Sequence, residues 1–110
     1  MMQKDIYWAD LEPTVGSEQQ GLRPVVIISG NAINRHLNMR IICPLSTKIR
    51  KIKGCVVLKR STLNNLDSES QVIHAQIRSL SVECFMTKIG EITNDELEKI
   101  KEGLFEILTY

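Results

Sequence analysis

No stretch of this chain is apolar for more than four or five residues, far short of the roughly 20 that a membrane-spanning helix requires. Lys4 and Asp5 interrupt the N-terminus at once, so no secretory h-region is expected and the cytoplasm is the expected location. Cysteine is scarce: Cys43, Cys55 and Cys84 are odd in number and show no CxxC spacing. That excludes a disulfide framework and a thiolate metal site, and points to reduced thiols buried in apolar surroundings. His36 and His74 have no further histidine or acid at ligand spacing, so neither a metal nor any other cofactor is expected. Internal repeats, low-complexity tracts and linkers are also lacking.

What is present fits one domain spanning residues 1–110, with one modest core. An apolar share of 43% is too high for disorder. The formal charge of +1 hides a segregation. Lys48, Arg50, Lys51, Lys53, Lys59 and Arg60 follow one another with no acid between them. Glu91, Asp95, Glu96, Glu98, Glu102 and Glu106 are offset only by Lys99 and Lys101. A basic stretch on a near-neutral protein suits local phosphate contact better than a broad landing surface. The alternative is a solvated strand edge blunted against aggregation.

The pattern is mainly β. Asp5–Leu11 reads as a strand, followed by a polar loop bounded by Gly16 and Gly21. Pro24 cannot donate to a sheet ladder, so it is placed at the first residue of the next strand, continued by Val25–Ile28. The apolar run after Pro24 suits a strand buried on both faces. Asn31–His36 is expected to form one helical turn, Met39–Leu45 a third strand with a bend or edge at Pro44, and Cys55–Lys59 a fourth. Ser61–Ser70 reads as loop, Gln71–Ile77 as the fifth strand and Lys88–Glu91 as a short sixth. The period then changes. Thr93-Asn94-Asp95-Glu96 has the form of a capping box, and Leu97, Ile100, Leu104, Ile107 and Leu108 share one face of a terminal helix.

Several short blocks follow one another along the chain: Asp5-Ile6-Tyr7-Trp8, Glu12-Pro13-Thr14, Gly16-Ser17-Glu18-Gln19, Arg23-Pro24-Val25, Asn34, Cys43-Pro44-Leu45-Ser46-Thr47 and Ala75-Gln76-Ile77-Arg78-Ser79. Together they resemble the MazF/PemK toxins, bacterial sequence-specific endoribonucleases paired with an antitoxin. The likeness covers nearly the whole chain and is weakest over Lys48–Ser70 and the last helix. It implies a small SH3-like, PemK-type antiparallel β-barrel with a C-terminal helix, and a homodimer. It also implies departures. Lys4 stands where the family commonly has glycine, and Ala75 where it often has an acid. Ile73 and Ser17 replace an arginine and a histidine that one variant uses with that acid as a proton relay, so such a relay is not available here.

Arg23 is the leading candidate for chemistry. A phosphodiester passing through a five-coordinate transition state gathers charge on its non-bridging oxygens, and a fixed guanidinium at a sheet rim can bind them in pairs. The competing reading is a surface arginine capping a carbonyl or an acid. The family's catalytic hydroxyl aligns with Ser46, where its members usually carry threonine; Thr47 could share or replace that role. Ser17, Glu18, Gln19 and Lys48 are substrate-binding candidates, Glu18 also as a proton acceptor or as a partner that orients Arg23. Gln76 and Arg78, on alternate positions of the expected fifth strand, would face one way and suit base recognition and phosphate holding. His74 could join that face, whereas His36 has no evident partner.

The implied activity is cleavage of single-stranded mRNA by the 2′-hydroxyl that DNA lacks, without metal, leaving a 2′,3′-cyclic phosphate and a 5′-hydroxyl. The implied partners are the RNA substrate and a cognate antitoxin whose acidic, flexible tail imitates phosphates; no membrane is involved. Two rival readings are a non-enzymatic toxin of the same fold acting on a protein such as DNA gyrase, and a catalytically silent RNA-binding barrel.

Overall fold

The computed structural model describes residues 1–11 and 21–110. The candidates Ser17, Glu18 and Gln19 lie outside the described residues. The architecture is mainly β with a C-terminal helix, as the patterning predicts. Strands β1 (Asp5–Asp10), β2 (Leu22–Ile27) and β3 (Met39–Ser46) run antiparallel side by side, with the short helix α1 (Asn31–Asn34) between the last two. β4 (Val57–Leu58), β5 (Ser70–Val72), β6 (Arg78–Ser81) and β7 (Phe85–Glu91) complete the curled sheet, and α2 (Asn94–Thr109) closes the chain. The hydrogen-bonded order is β4-β5-β3-β2-β1-β7, with β6 on β3 as well.

Strand alternation divides the core. Val26, Cys43 and Leu45 join Ile6, Val72 and the α2 residues Leu97, Ile100 and Leu104 on one side. Val25, Ile27 and Ile42 join Ala9 and Leu80 on the other, flanked by an edge-to-face Tyr7–Phe85 pair. The second half of β2, Val25–Ile27, is thus buried on both faces. The buried Ser29–Asn34 pair (Oγ to Oδ1, 2.6 Å) ties α1 to the sheet, and Ser29 Oγ also accepts from the Ile41 N–H. The capping box forms: Thr93 Oγ1 accepts from the Glu96 N–H, and Glu96 accepts from the Thr93 N–H.

Several boundaries differ from the sequence reading. β2 begins at Leu22, so Pro24 is its third residue. It is tolerated because β3 pairs with β2 only from Val25 onward, leaving a single neighbour at Pro24. β4 is just two residues long, limited by its pairing with Ser70 and Gln71. β7 starts three residues before Lys88, at Phe85. Ile107 and Leu108 sit past the part of α2 that packs on the core and are exposed. Cys43 is buried, and burial pushes its thiol up to about 12, while Cys55 and Cys84 are only half-buried.

The largest correction concerns Gln71–Ile77, which is not one strand. β5 pairs with β3 at Leu45 and Ser46, and β6 pairs with it from Ile42 to Met39. Between them a 3-10 turn, His74–Gln76, bulges out of the ladder. Pro44 explains where the ladder fails. Its carbonyl accepts from the Ile73 N–H, so its own nitrogen faces the same edge and has no hydrogen to give. The turn then carries His74 against α2 and separates Gln76 from Arg78.

Candidate active site

The sheet brings a row of polar residues across three strands. Ser46 on β3 lies directly opposite Gln71 on β5. The β2–β3 register sets Val25 against Pro44 and Val26 against Cys43; carried two residues further, it aligns Arg23 with Ser46. Arg23, Ser46 and Gln71 all line one groove of about 470 Å³, together with Lys48, Arg50 and Lys53 from the basic stretch and His74 and Gln76 from the 3-10 turn. Gly103, Glu106 and Ile107 of α2 also line it.

Each group has a local cause. Ser46 is the last residue of β3, and its Oγ accepts from the Lys48 N–H at 3.1 Å. This serine turn steers the chain into the basic stretch while the hydroxyl proton stays available to the groove. Gln71 is buried, and its Oε1 accepts from the Arg50 N–H at 2.6 Å. That bond anchors the basic stretch to the groove wall. Gln71 carries no sequence signal beyond strand periodicity, because its value comes from facing Ser46.

His74 is 3% exposed. Its Nδ1 lies 3.2 Å from the Val72 carbonyl, which can only accept, so Nδ1 bears the hydrogen. Nε2 is then a bare acceptor, and it is buried without a partner. Burial lowers the pKa of the ring, opposed by the Val72 bond, so the imidazole is neutral near pH 7. It abuts Gly103: a Cβ there would stand 2.7 Å from Nε2 and 2.6 Å from the Gly54 carbonyl oxygen.

The expected residues do not all meet. Arg23, Ser46, Lys48 and Gln76 converge on the groove. Thr47 does not; it lines a different concavity with Trp8 and Pro24. Arg78 is exposed at the start of β6, opposite Ile42, and is not among the groove residues. The reason is the 3-10 turn, which breaks the alternation that would have aligned it with Gln76. His36 is exposed and apart from the groove. Among the described residues, no three His, Cys, Asp or Glu side chains are placed to hold a metal ion, and no helix is long and apolar enough to cross a membrane.

Comparison with known proteins agrees with this fold. Residues 2–108 match the family described as PemK-like, MazF-like toxin of type II toxin–antitoxin system. Endoribonuclease EndoA of Bacillus subtilis (strain 168) is 31% identical over 101 residues, 91% of this chain and 87% of that protein. An endoribonuclease in complex with its cognate antitoxin, from a Mycobacterial species, superposes with a TM-score of 0.81 at 28% identity, over 98% of this chain and 94% of that one. The MazF of Deinococcus radiodurans superposes with a TM-score of 0.81 at 22% identity, over 100% and 97% of the two chains, a likeness of fold. The chain belongs to the PemK-like, MazF-like toxins of type II toxin–antitoxin systems.

Proposed function

We propose that this protein is the toxin of a type II toxin–antitoxin pair, a sequence-specific endoribonuclease that cuts single-stranded mRNA in the cytoplasm. The observation that carries this reading is the convergence of Arg23, Ser46 and a cationic wall, Lys48, Arg50 and Lys53, on one groove. In the proposed reaction the 2′-oxygen of the nucleotide before the cut attacks its own phosphate and loses its proton. The bond from phosphorus to the 5′-oxygen breaks, and that oxygen takes up a proton. The products are a 2′,3′-cyclic phosphate and a 5′-hydroxyl. Arg23 neutralises charge on the non-bridging oxygens, Ser46 positions or protonates, and Lys48 and Gln76 hold the flanking RNA. Ser17, Glu18, Gln19 and Arg78 keep the roles their family positions imply, with Arg78 acting outside the groove.

The whole chain serves as one unit and pairs as a homodimer; the exposed apolar end of α2, with Leu108 77% exposed, supports association. The cationic wall suits an acidic antitoxin segment as well as RNA. The test is an oligoribonucleotide with a single 2′-deoxy sugar at a mapped cut site. It should bind and resist cleavage while its all-ribose twin is cut. Cleavage of the deoxy substrate at that site would rule out the internal nucleophile.

A further inference from the structure

Three adjacent strands place consecutive residues on two different surfaces. Arg23, Ser46 and Gln71 line the groove described above. Their chain neighbours Pro24, Thr47 and Ser70 line a second concavity of about 420 Å³. The two hollows therefore lie back to back through one thickness of sheet, at the end where β2 begins and β3 finishes. Trp8 lines the second hollow, opposite Pro24 in the β1–β2 register. It is the chain's only tryptophan and is 38% exposed. A bulky, partly exposed indole at a concave surface beside a proline offers a flat apolar face, and among the described residues no other aromatic ring is stacked on it. Lys88 stands at the same hollow, with Nζ 3.3 Å from Asp5 and 3.4 Å from Glu91. Those two carboxylates hold the ammonium at the Asp5–Glu91 end of β1. Asp67 is the acid in the lining.

We propose that the Trp8 hollow is a second nucleotide subsite, in which a base flanking the cut stacks on the indole while the scissile phosphate lies at Arg23 and Ser46. This rests on the ribonuclease reading of the groove. The continuity is covalent: Ser46–Thr47 and Arg23–Pro24 are adjacent pairs, so a strand leaving the groove over the ends of β2 and β3 arrives at Thr47 and Pro24. A single strand can make that turn because its bases are not held by pairing, and aromatic faces accept any base by stacking.

Trp8 itself reports the outcome. A non-cleavable RNA, with a 2′-deoxy sugar at the cut site and a dye at one end, is titrated into the full-length protein. Anisotropy of the dye gives binding, and tryptophan emission gives contact at Trp8. Saturable quenching is expected, and shortening the RNA one nucleotide at a time from one end should abolish it at a defined step while binding persists. Trp8→Ala should weaken binding roughly 5- to 150-fold, the range for losing one base–aromatic stack, and Trp8→Phe should weaken it less. Melting curves of both variants separate loss of contact from loss of fold. Bound, all-ribose-cleaving protein whose emission is unchanged by RNA would overturn the subsite and leave the ribonuclease reading intact. Emission that changes with protein concentration alone would overturn it too, by assigning Trp8 to contact between copies. Absence of RNA binding and cleavage by the wild type would sink both.

Discussion

Arg23 and Ser46 stand on neighbouring strands, each two residues beyond the last paired couple, Val25 and Pro44, and both open onto the same groove. Thr47, one residue on, faces the Trp8 hollow instead. A hydroxyl that assists at phosphorus must share a surface with the cation that binds the phosphate. Ser46→Ala should therefore reduce cleavage strongly, by about 100-fold or more if it donates to the developing charge. Ser46→Thr should keep most activity, since it retains the hydroxyl. Single-turnover cleavage of a defined RNA would measure this. A Thr47→Ala protein more damaged than Ser46→Ala would reassign the hydroxyl.

His74 gives stability a pH dependence of definite sign. Burial holds its folded pKa below the unfolded value of 6.5. Below about pH 6.5 the unfolded chain takes up a proton that the folded chain refuses. Its contribution to stability is complete above that pH and is lost as pH falls toward and through the folded pKa. Urea unfolding at pH 7.5, 6.5 and 5.5 should show this fall, and it should be shallower in His74→Leu. An identical slope in the variant would assign the loss to other groups.

Gly103 sets how closely α2 approaches the groove. A methyl group there would meet the Gly54 carbonyl at 2.6 Å, and backbone cannot swing aside. Alanine is ordinarily the better helix former by up to about 1 kcal/mol, but overpacking typically costs about 1–3 kcal/mol. Gly103→Ala should therefore lower the melting temperature by several degrees, and widen the groove enough to weaken RNA binding. A melting temperature equal to or above that of the wild type would contradict the packing at this site.

The fold was legible where a single local rule decides. Continuous apolar, β-branched runs placed β2 and β3, because Val25, Val26 and Ile27 need burial on both faces whatever their neighbours do. The spacing of Thr93 and Glu96 announced the start of α2. The 3-10 turn was not legible, because it depends on which edge of β3 the Pro44 nitrogen faces, and that is a property of the assembled sheet. Losing it misplaced Arg78 and hid the contact between His74 and Gly103. Arg23 and Ser46 were recognisable from their motifs, yet the choice of Ser46 over Thr47 as the groove residue required knowing that β3 runs one residue past Leu45. Gln71 became visible only through its place opposite Ser46 and its bond to Arg50. Lys4 shows a departure with a visible cost: it stands where the family commonly has glycine, and its φ of +84° lies in the left-handed region that favours glycine.

The most direct measurement is incubation of the purified protein with a long single-stranded RNA in EDTA, with every cut site and end group mapped, beside Arg23→Ala of equal melting temperature. The expected result is cutting at a fixed short motif, with 2′,3′-cyclic phosphate and 5′-hydroxyl ends, reduced by roughly 100- to 1,000-fold in Arg23→Ala. Near-wild-type cutting by the folded variant, or cutting that stops in EDTA and returns with magnesium, would contradict it.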